Sequence, residues 1–402
     1  MAIKQNKLKL TSSIKTLRIK NVSDLAPYLD AWNELSAGMP MRSAQWFITW
    51  WNIYAESDDE LSVLLFLGPK NVLVGVAPLY LQSKSAKAIF RLLGSGENFT
   101  HHSTWLTAPG WESEVGKEVA HFFLQSETEW KQILIQAVDE DASAIHVTMN
   151  HLAENGCVCH KRQIQSCWRI LLPPTWDGYL MTLSRSLRKR CRKISKQYLD
   201  SGKIVLRQVD NETDLAEGLD ILMKLHGARW GKAEKPFGIF DDMRFRTFHE
   251  TFSKYLLDNK SLRLAWLECD NVPIAIEYQF VDTKTVYAYQ AGIDLSKDLY
   301  SSGKLSMIAA IQYAILHGCE FFDFLSGNDP YKANWRATPV YCYDLRAWHP
   351  HVRGFMSWTA WHGYTIVSKQ LKSIIPHRHI IHGLKLLQSL KSYGQRKPRY
   401  EN

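Results

Sequence analysis

Between Asp323 and Trp335 the chain reads DFLSGNDPYKANW, which joins an acid, a tyrosine, a lysine and a tryptophan across one turn. Asp323 sits in the apolar run EFFDFL. It is suited either to take up a proton or to hold the turn by bonding the amides of Ser326 to Asn328. If Asp329 caps a short helix and Pro330 takes its first position, Lys332 falls in the first turn, where the dipole disfavours a cation. A lysine there is easier to understand if it meets an anion, such as a phosphate or a developing oxyanion; the plainer reading is a solvated loop charge. Tyr331 can donate a proton to a departing group or simply pack. Tyr331 and Trp335, four apart, share one face, with Lys332 and Arg336 on the next.

Two features upstream extend this set. In LYSSGKLSMIAAIQYAILHGCEFFDFL, a small-residue loop (Ser301, Ser302, Gly303) opens an apolar helix that stops at Gly318. Strand, loop and helix N-terminus in that order can hold phosphate, because free amides and the helix dipole both favour an anion. Ser-Gly before a helix is also ordinary capping. On the strand VPIAIEYQF, Ile274, Ile276, Tyr278 and Phe280 share one face while Glu277 and Gln279 share the other. A carboxylate in mid-strand must face water, a partner or a site.

The elements that must position these residues need more than one core, and 402 residues make two domains the default. The first stretch runs from the aromatic-rich helical segment AWNELSAGMPMRSAQWFITWWNIYAES into LSVLLFLG and VLVGVAPLYLQ, a hairpin of buried strands. His101 and His102 follow in a Gly/Ser-rich loop, with no role assigned from sequence. Later, Leu187, Cys191, Ile194 and Tyr198 recur at helical steps while Arg188, Lys189, Arg192, Lys193 and Lys196 take the other faces. That basic helix, the N-terminus and the tail carry much of the net charge of +9, which favours polyanions or an anionic membrane surface. In the tail, Trp358, Trp361 and Tyr364 with Lys369, Lys372, His377 and Arg378 suit such a surface or packing between domains. No apolar run reaches the ~18 residues of a membrane span, and the basic N-terminus lacks the apolar core of a signal peptide. Seven scattered cysteines make no disulfide framework and point to a reducing cytoplasm. Cys157, Cys159 and His160 lack a second ligand pair, so no metal is expected.

The hairpin VPIAIEYQF…TVYAYQAGID, the helix SSGKLSMIAAIQYAILHGCEFFDF and LSGNDPYKANW together resemble the BioF2-like acetyltransferase domain of the GNAT superfamily, found also in CelD-type cellulose-biosynthesis proteins. GVAPLYL and RLLGSG resemble the N-terminal half of the same proteins, and LSRSLRKRCRKISKQYLDSGKIVLRQV resembles the segment that opens the second half. The resemblance covers roughly residues 25 to 348. It implies an α/β (α+β) chain of tandem GNAT-like units, related to Fem-type aminoacyl transferases, each a mixed, mainly antiparallel sheet flanked by helices. The expected divisions are an N-terminal unit over 1–170, an acyltransferase unit over 171–350 and a basic, aromatic helical tail over 351–402.

The resemblance further implies transfer from acyl-CoA, for instance acetyl-CoA, to an amine or hydroxyl. The pantetheine arm would pair with TVYAYQAGI at Gln290, Ala291 and Gly292, and the pyrophosphate would rest on Ser301, Ser302, Gly303 and Lys304. Fem-type enzymes carry an aromatic–lysine pair at a comparable place, which puts Tyr331 and Lys332 beside Asp323 and Glu277 as catalytic candidates. Trp335, Arg188 and Arg192 are then expected to bind substrate. The loop departs from the family's Gln/Arg-x-x-Gly-x-Gly/Ala, since YSSGKL supplies one glycine. That leaves the donor open between CoA and an aminoacyl-tRNA, whose phosphates the basic helix would meet. The acceptor, whether of the cell envelope, a polysaccharide or a small metabolite, is not legible. A non-catalytic module docking through helix 185–196 and the tail is the rival reading.

Overall fold

The structure, a computed structural model, describes residues 14–82, 88–96, 100–126, 130–164, 166–232, 235–296, 301–327 and 331–374. The first half supplies strands β1 (Lys15–Ile19), β2 (Glu60–Leu67), β3 (Leu73–Gln82), β4 (Ile89–Leu92), β5 (Leu106–Thr107), β6 (Gln132–Asp139) and β7 (Val158–Gln163). Its helices are α1 (Leu29–Leu35), α2 (Ala44–Tyr54), α3 (Glu112–Gln125) and α4 (Ser143–Glu154). The apolar runs of β2 and β3 form the expected antiparallel hairpin, and both are buried along nearly their whole length. Continuous rather than alternating hydrophobicity is what a strand needs when both faces are covered.

The second half opens with β8 (Cys167–Leu171), α5 (Trp176–Thr182), α6 (Arg185–Ile194) and β9 (Ile204–Gln208). It continues through α7 (Glu212–Trp230), α8 (Met243–Asp258) and the strands β10 (Leu262–Cys269), β11 (Val272–Val281) and β12 (Thr285–Ile293). Then come α9 (Ser302–Leu316), β13 (Phe321–Ser326), the single turn α10 (Tyr331–Asn334), β14 (Thr338–Val340), β15 (Cys342–Trp348) and α11 (Val352–Ile374). Several helix starts follow side-chain caps: Ser43 accepts from the amide of Trp46, Asn211 from Thr213 and Asp214, and Asp242 from Arg244 and Phe245.

The two sheets run β1-β2-β3-β4-β6-β15-β7, with β5 against β3, and β14-β8-β13-β12-β11-β10-β9. Both are mainly antiparallel with one parallel pair, β4 with β6 and β12 with β13. Each half is thus a mixed sheet flanked by helices, and the described residues end in a helical segment, α11. The run PVYCYDLRAW reads as one strand but forms two in different sheets. Pro339 lies on β14 at the border of the second sheet, where a missing amide is tolerated. After Tyr341, β15 crosses into the first sheet between β6 and β7. The exchange is reciprocal, since β8 enters the second sheet between β13 and β14.

An apolar core joins the halves. Trp46 of α2 is fully buried and meets Phe248 and Phe252 of α8 edge-on, with ring centroids 4.8 and 4.9 Å apart. On α11, Trp361 packs at a tilt against Trp348 of β15, ring centroids 4.9 Å apart, which is packing against the first sheet. His377 and Arg378 lie outside the described residues. Among the described residues no helix is long and apolar enough to cross a membrane, and no group of three or more His, Cys, Asp or Glu is arranged to hold a metal.

Candidate active site between two diverging strands

β12 and β13 pair only from Thr285–Phe321 to Tyr287–Asp323, although β12 continues to Ile293 and β13 to Ser326. Beyond Tyr287 the strands part, and a cavity of about 900 Å³ opens between them. Ala288 and Gln290 line one side, and Phe324, Leu325 and Ser326 the other. Two backbone irregularities accompany the opening: a register shift in β11–β12 at Tyr278/Gln279, and a left-handed Leu325 at φ 54°.

Helix α9 starts at the mouth. Ser301 takes a left-handed conformation (φ 53°) and, with Gly303 and Lys304, faces the cavity. Arg190 of α6 donates to Ser301 Oγ at 3.3 Å. Ser302 turns inward, fully buried, its Oγ without a hydrogen-bond partner among the described residues. Arg190, Arg229, Lys304 and Lys332 line the cavity against a single carboxylate, Glu277. Four cations facing one acid at a helix N-terminus give the cavity a lining that favours an anion.

Glu277 is buried on β11 and faces this space, its carboxylate accepting from Ser306 Oγ of α9 at 2.8 Å. Burial pushes its pKa up, and Ser306 and Arg263 only partly offset that. Gln279, on the same strand face, accepts from the buried Arg263 at 2.7 Å, and burial brings that guanidinium down to about 10. Gln290 and Ala291 line the cavity, whereas Gly292 presses on α7: a Cβ there would lie 2.6 Å from the amide nitrogen of His226. Tyr331 and Trp335 both line the wall, the first half-exposed and the second buried with its carbonyl accepting from Tyr179 Oη at 2.8 Å.

Lys332 is buried as well. Its ammonium donates to the carbonyls of Ser326 at 3.0 Å and Leu325 at 3.5 Å. Carbonyl oxygens at the end of β13 therefore meet the charge that the helix dipole disfavours, while the side chain still faces the cavity. Asn328, Asp329 and Pro330, including the expected cap, lie outside the described residues.

Besides Ser302 and Gly292, three expected site residues stand off the cavity lining. Arg188 reaches back to the carbonyl of Met181 at 3.4 Å, and Arg192 pairs with Asp177 at 3.2 Å, both on the exposed side of α6. Ser186, Leu187 and Arg190 form the cavity face of that helix. Its buried stripe gave the signal: Arg190 follows Leu187 by three residues and so lies beside the apolar face.

Asp323 is fully buried and outside the cavity wall. Its carboxylate accepts from Arg169 Nε at 2.7 Å and from the amide of Leu325 at 2.7 Å, and it lies 3.3 Å from His102 Nε2. The other ring nitrogen, His102 Nδ1, contacts Asp139 at 2.8 Å. Burial works against a charged imidazole, but the two carboxylates prevail and push His102 up to about 10. Burial likewise works against the Asp323 anion, and His102 and Arg169 overcome it to hold the acid at about 2. Arg42 completes the group, donating twice to the His102 carbonyl at 3.0 and 2.6 Å. The cluster takes Arg42, His102 and Asp139 from the first half, and Asp323 from the second beside Arg169 of β8. Sequence marked only the paired histidines and Asp323. Arg169 within CWRIL and Asp139 at the end of β6 carry no local signal, because the fold alone brings them together.

Residues 185–333 match the family model described as "Acetyltransferase (GNAT) domain". The matched stretch contains the diverging strands and α9. The crystal structure of FemX superposes with a TM-score of 0.56 at 13% identity, over 82% of this chain and 96% of its own. The C-terminal domain of a putative lysylphosphatidylglycerol synthetase from Agrobacterium fabrum does so with a TM-score of 0.50 at 10% identity, over 86% and 96%. At such identities the likeness is one of fold. No curated protein matches the sequence significantly.

Proposed function

We propose that the second half is an acyltransferase site that moves an acyl group from acyl-CoA, such as acetyl-CoA, to an amine or hydroxyl of a cell-envelope, polysaccharide or small-metabolite acceptor in the cytoplasm. The cavity carries this reading: it runs from the N-terminus of α9 to the point where β12 and β13 part, and four cations line it against one acid. The donor's phosphates rest on the amides of Ser301 to Lys304 with Arg190 and Lys304 beside them. The pantetheine arm follows Gln290 and Ala291 inward, and the thioester reaches the apex.

There the acceptor's lone pair attacks the thioester carbonyl, its proton passes to Glu277, and the carbon–sulfur bond breaks. Tyr331 protonates the departing thiolate and regains its proton from solvent. A carboxylate with a raised pKa is the stronger base for this step. Lys332 sets the end of β13 and gives positive potential where the oxyanion forms. Trp335 walls the site.

Calorimetric titration with CoA and acetyl-CoA tests the donor. Both are expected to bind and to raise the melting temperature, and Lys332→Ala is expected to abolish transfer while the fold persists. Absence of binding by any CoA thioester would sink the proposal, and RNA-dependent activity lost on neutralising Arg188 and Arg192 would replace CoA with a charged tRNA.

A further inference from the structure

Among the described residues that wall the transfer cavity, one comes from before β8: His101. Its neighbour faces the other way. His102 belongs to the ion cluster and lines a separate cavity between the halves. The peptide joining them is fixed on every side. His102 adopts a left-handed φ of 56°, costly for a residue with a Cβ. Arg42 grips its carbonyl, and carboxylates from both halves grip its ring. This buried arrangement leaves the adjacent ring little freedom, and it presents that ring to the cavity wall.

The ring's place within the cavity follows from its neighbours. The adjacent His102 lies 3.3 Å from Asp323, the last residue of β13 that pairs with β12, which places His101 at the closed end where the strands part rather than at the mouth beside Ser301. Burial first, then the positive charge of His102, bring its pKa down to about 3, so the ring stays neutral at physiological pH, with one N–H donor and one acceptor nitrogen. Nearby, Lys332 gives hydrogen bonds to the carbonyls of Leu325 and Ser326.

Building on the acyl-CoA reading, we infer that the first half supplies the acyl-recognition residue of the second half's site: the His101 imidazole N–H donates to the carbonyl oxygen of the donor's thioester at the closed end of the cavity. The first half would then complete the site rather than merely brace it, and selectivity for an acylated over a free donor would reside in the His101–His102 loop.

The test titrates CoA and acetyl-CoA separately into the full-length wild type, His101→Ala and His101→Gln. In His101→Ala, acetyl-CoA is expected to bind about tenfold more weakly while CoA stays within about twofold, the scale of one lost hydrogen bond. His101→Gln, whose amide N–H replaces the donor, is expected to recover most of the loss. Unchanged acetyl-CoA affinity in His101→Ala overturns the inference, and so does an equal loss of both ligands in both variants, which marks a structural role. In the wild type, imidazole signals of labelled histidine should move with acetyl-CoA beyond their movement with CoA, and no such difference would overturn it without any variant. If the wild type binds neither ligand, the acyl-CoA reading falls first and this one with it.

Discussion

The two halves repeat one layout and differ where a ligand would enter. Apart from the two-residue β5 of the first half, β1 to β6 and β9 to β13 each run strand, two helices, three strands, helix, strand, with the fourth strand of the layout parallel to the fifth. In the first sheet the space beyond the parallel pair is closed: the Ser103 amide donates to Ala137 O at 2.9 Å, and Ser103 bridges Val138. In the second sheet the corresponding space is the open cavity proposed for acyl transfer. The following helices differ in the same sense. Glu112 and Glu114 occupy the first turn of α3 and answer its dipole from within, whereas the first turn of α9 has no acid. One layout thus leaves a positively lined opening only where the strands stay apart and the helix start lacks its own carboxylate.

The sharpest way to break this contrast is at the ion cluster that ties the halves. Asp323→Asn leaves His102 and Arg169 facing a neutral partner, and should cost about 3–5 kcal/mol in denaturant unfolding. Asp139→Asn, on the first-half side and slightly more exposed, should cost less; the opposite ranking would place the clamp's centre in the first half.

The cluster also sets a pH window. Between 6.5 and about 10, folded His102 keeps a proton that the unfolded chain has shed, so stability falls as pH rises. The slope is at most about 1.4 kcal/mol per pH unit. Between 3.8 and about 2, the unfolded chain takes up a proton that folded Asp323 refuses, so stability falls as pH drops. Stability should peak between these limbs, and unfolding curves of His102→Gln across pH should lack the alkaline one.

Charge at the two helix starts offers a finer comparison. Lys304→Glu puts an acid into α9 as α3 already has, and should weaken CoA binding by about tenfold or more, while Glu112→Lys leaves it unchanged. Smallest is the split within α6: Arg190→Gln should weaken CoA by a factor of about three to ten, and Arg192→Gln should have no measurable effect. Equal losses from both would mean that the helix acts through bulk charge rather than through the contact with Ser301.

Much of the second half was legible in the sequence, because its signals are local. Alternation along VPIAIEYQF separated the core face from Glu277, and SSGK before an apolar run marked the start of α9. Features made by long-range pairing were not. PVYCYDLRAW has no internal mark telling which sheet each part joins, since that is decided by strands about 200 residues earlier in the chain. The basic run on α6 read as charge on the faces beside the apolar stripe, with Arg188 and Arg192 expected at the substrate, although of its basic residues Arg190 alone lines the cavity. Asp323 drew notice as a lone acid in an apolar strand, but its partners His102 and Arg169 lie far away in sequence, so its place in an ion cluster needed the fold.

The reciprocal exchange of β8 and β15 has a consequence for how the chain is made. Strand β7 takes β15 as its sheet partner, and β15 leaves the ribosome about 180 residues later. At ordinary rates of synthesis that is roughly ten to forty seconds, during which β6 and β7 present open edges. The first half is therefore the last to be finished although it is the first to be made. A nascent chain stalled near residue 300 should depend on chaperones in a way that the completed protein does not.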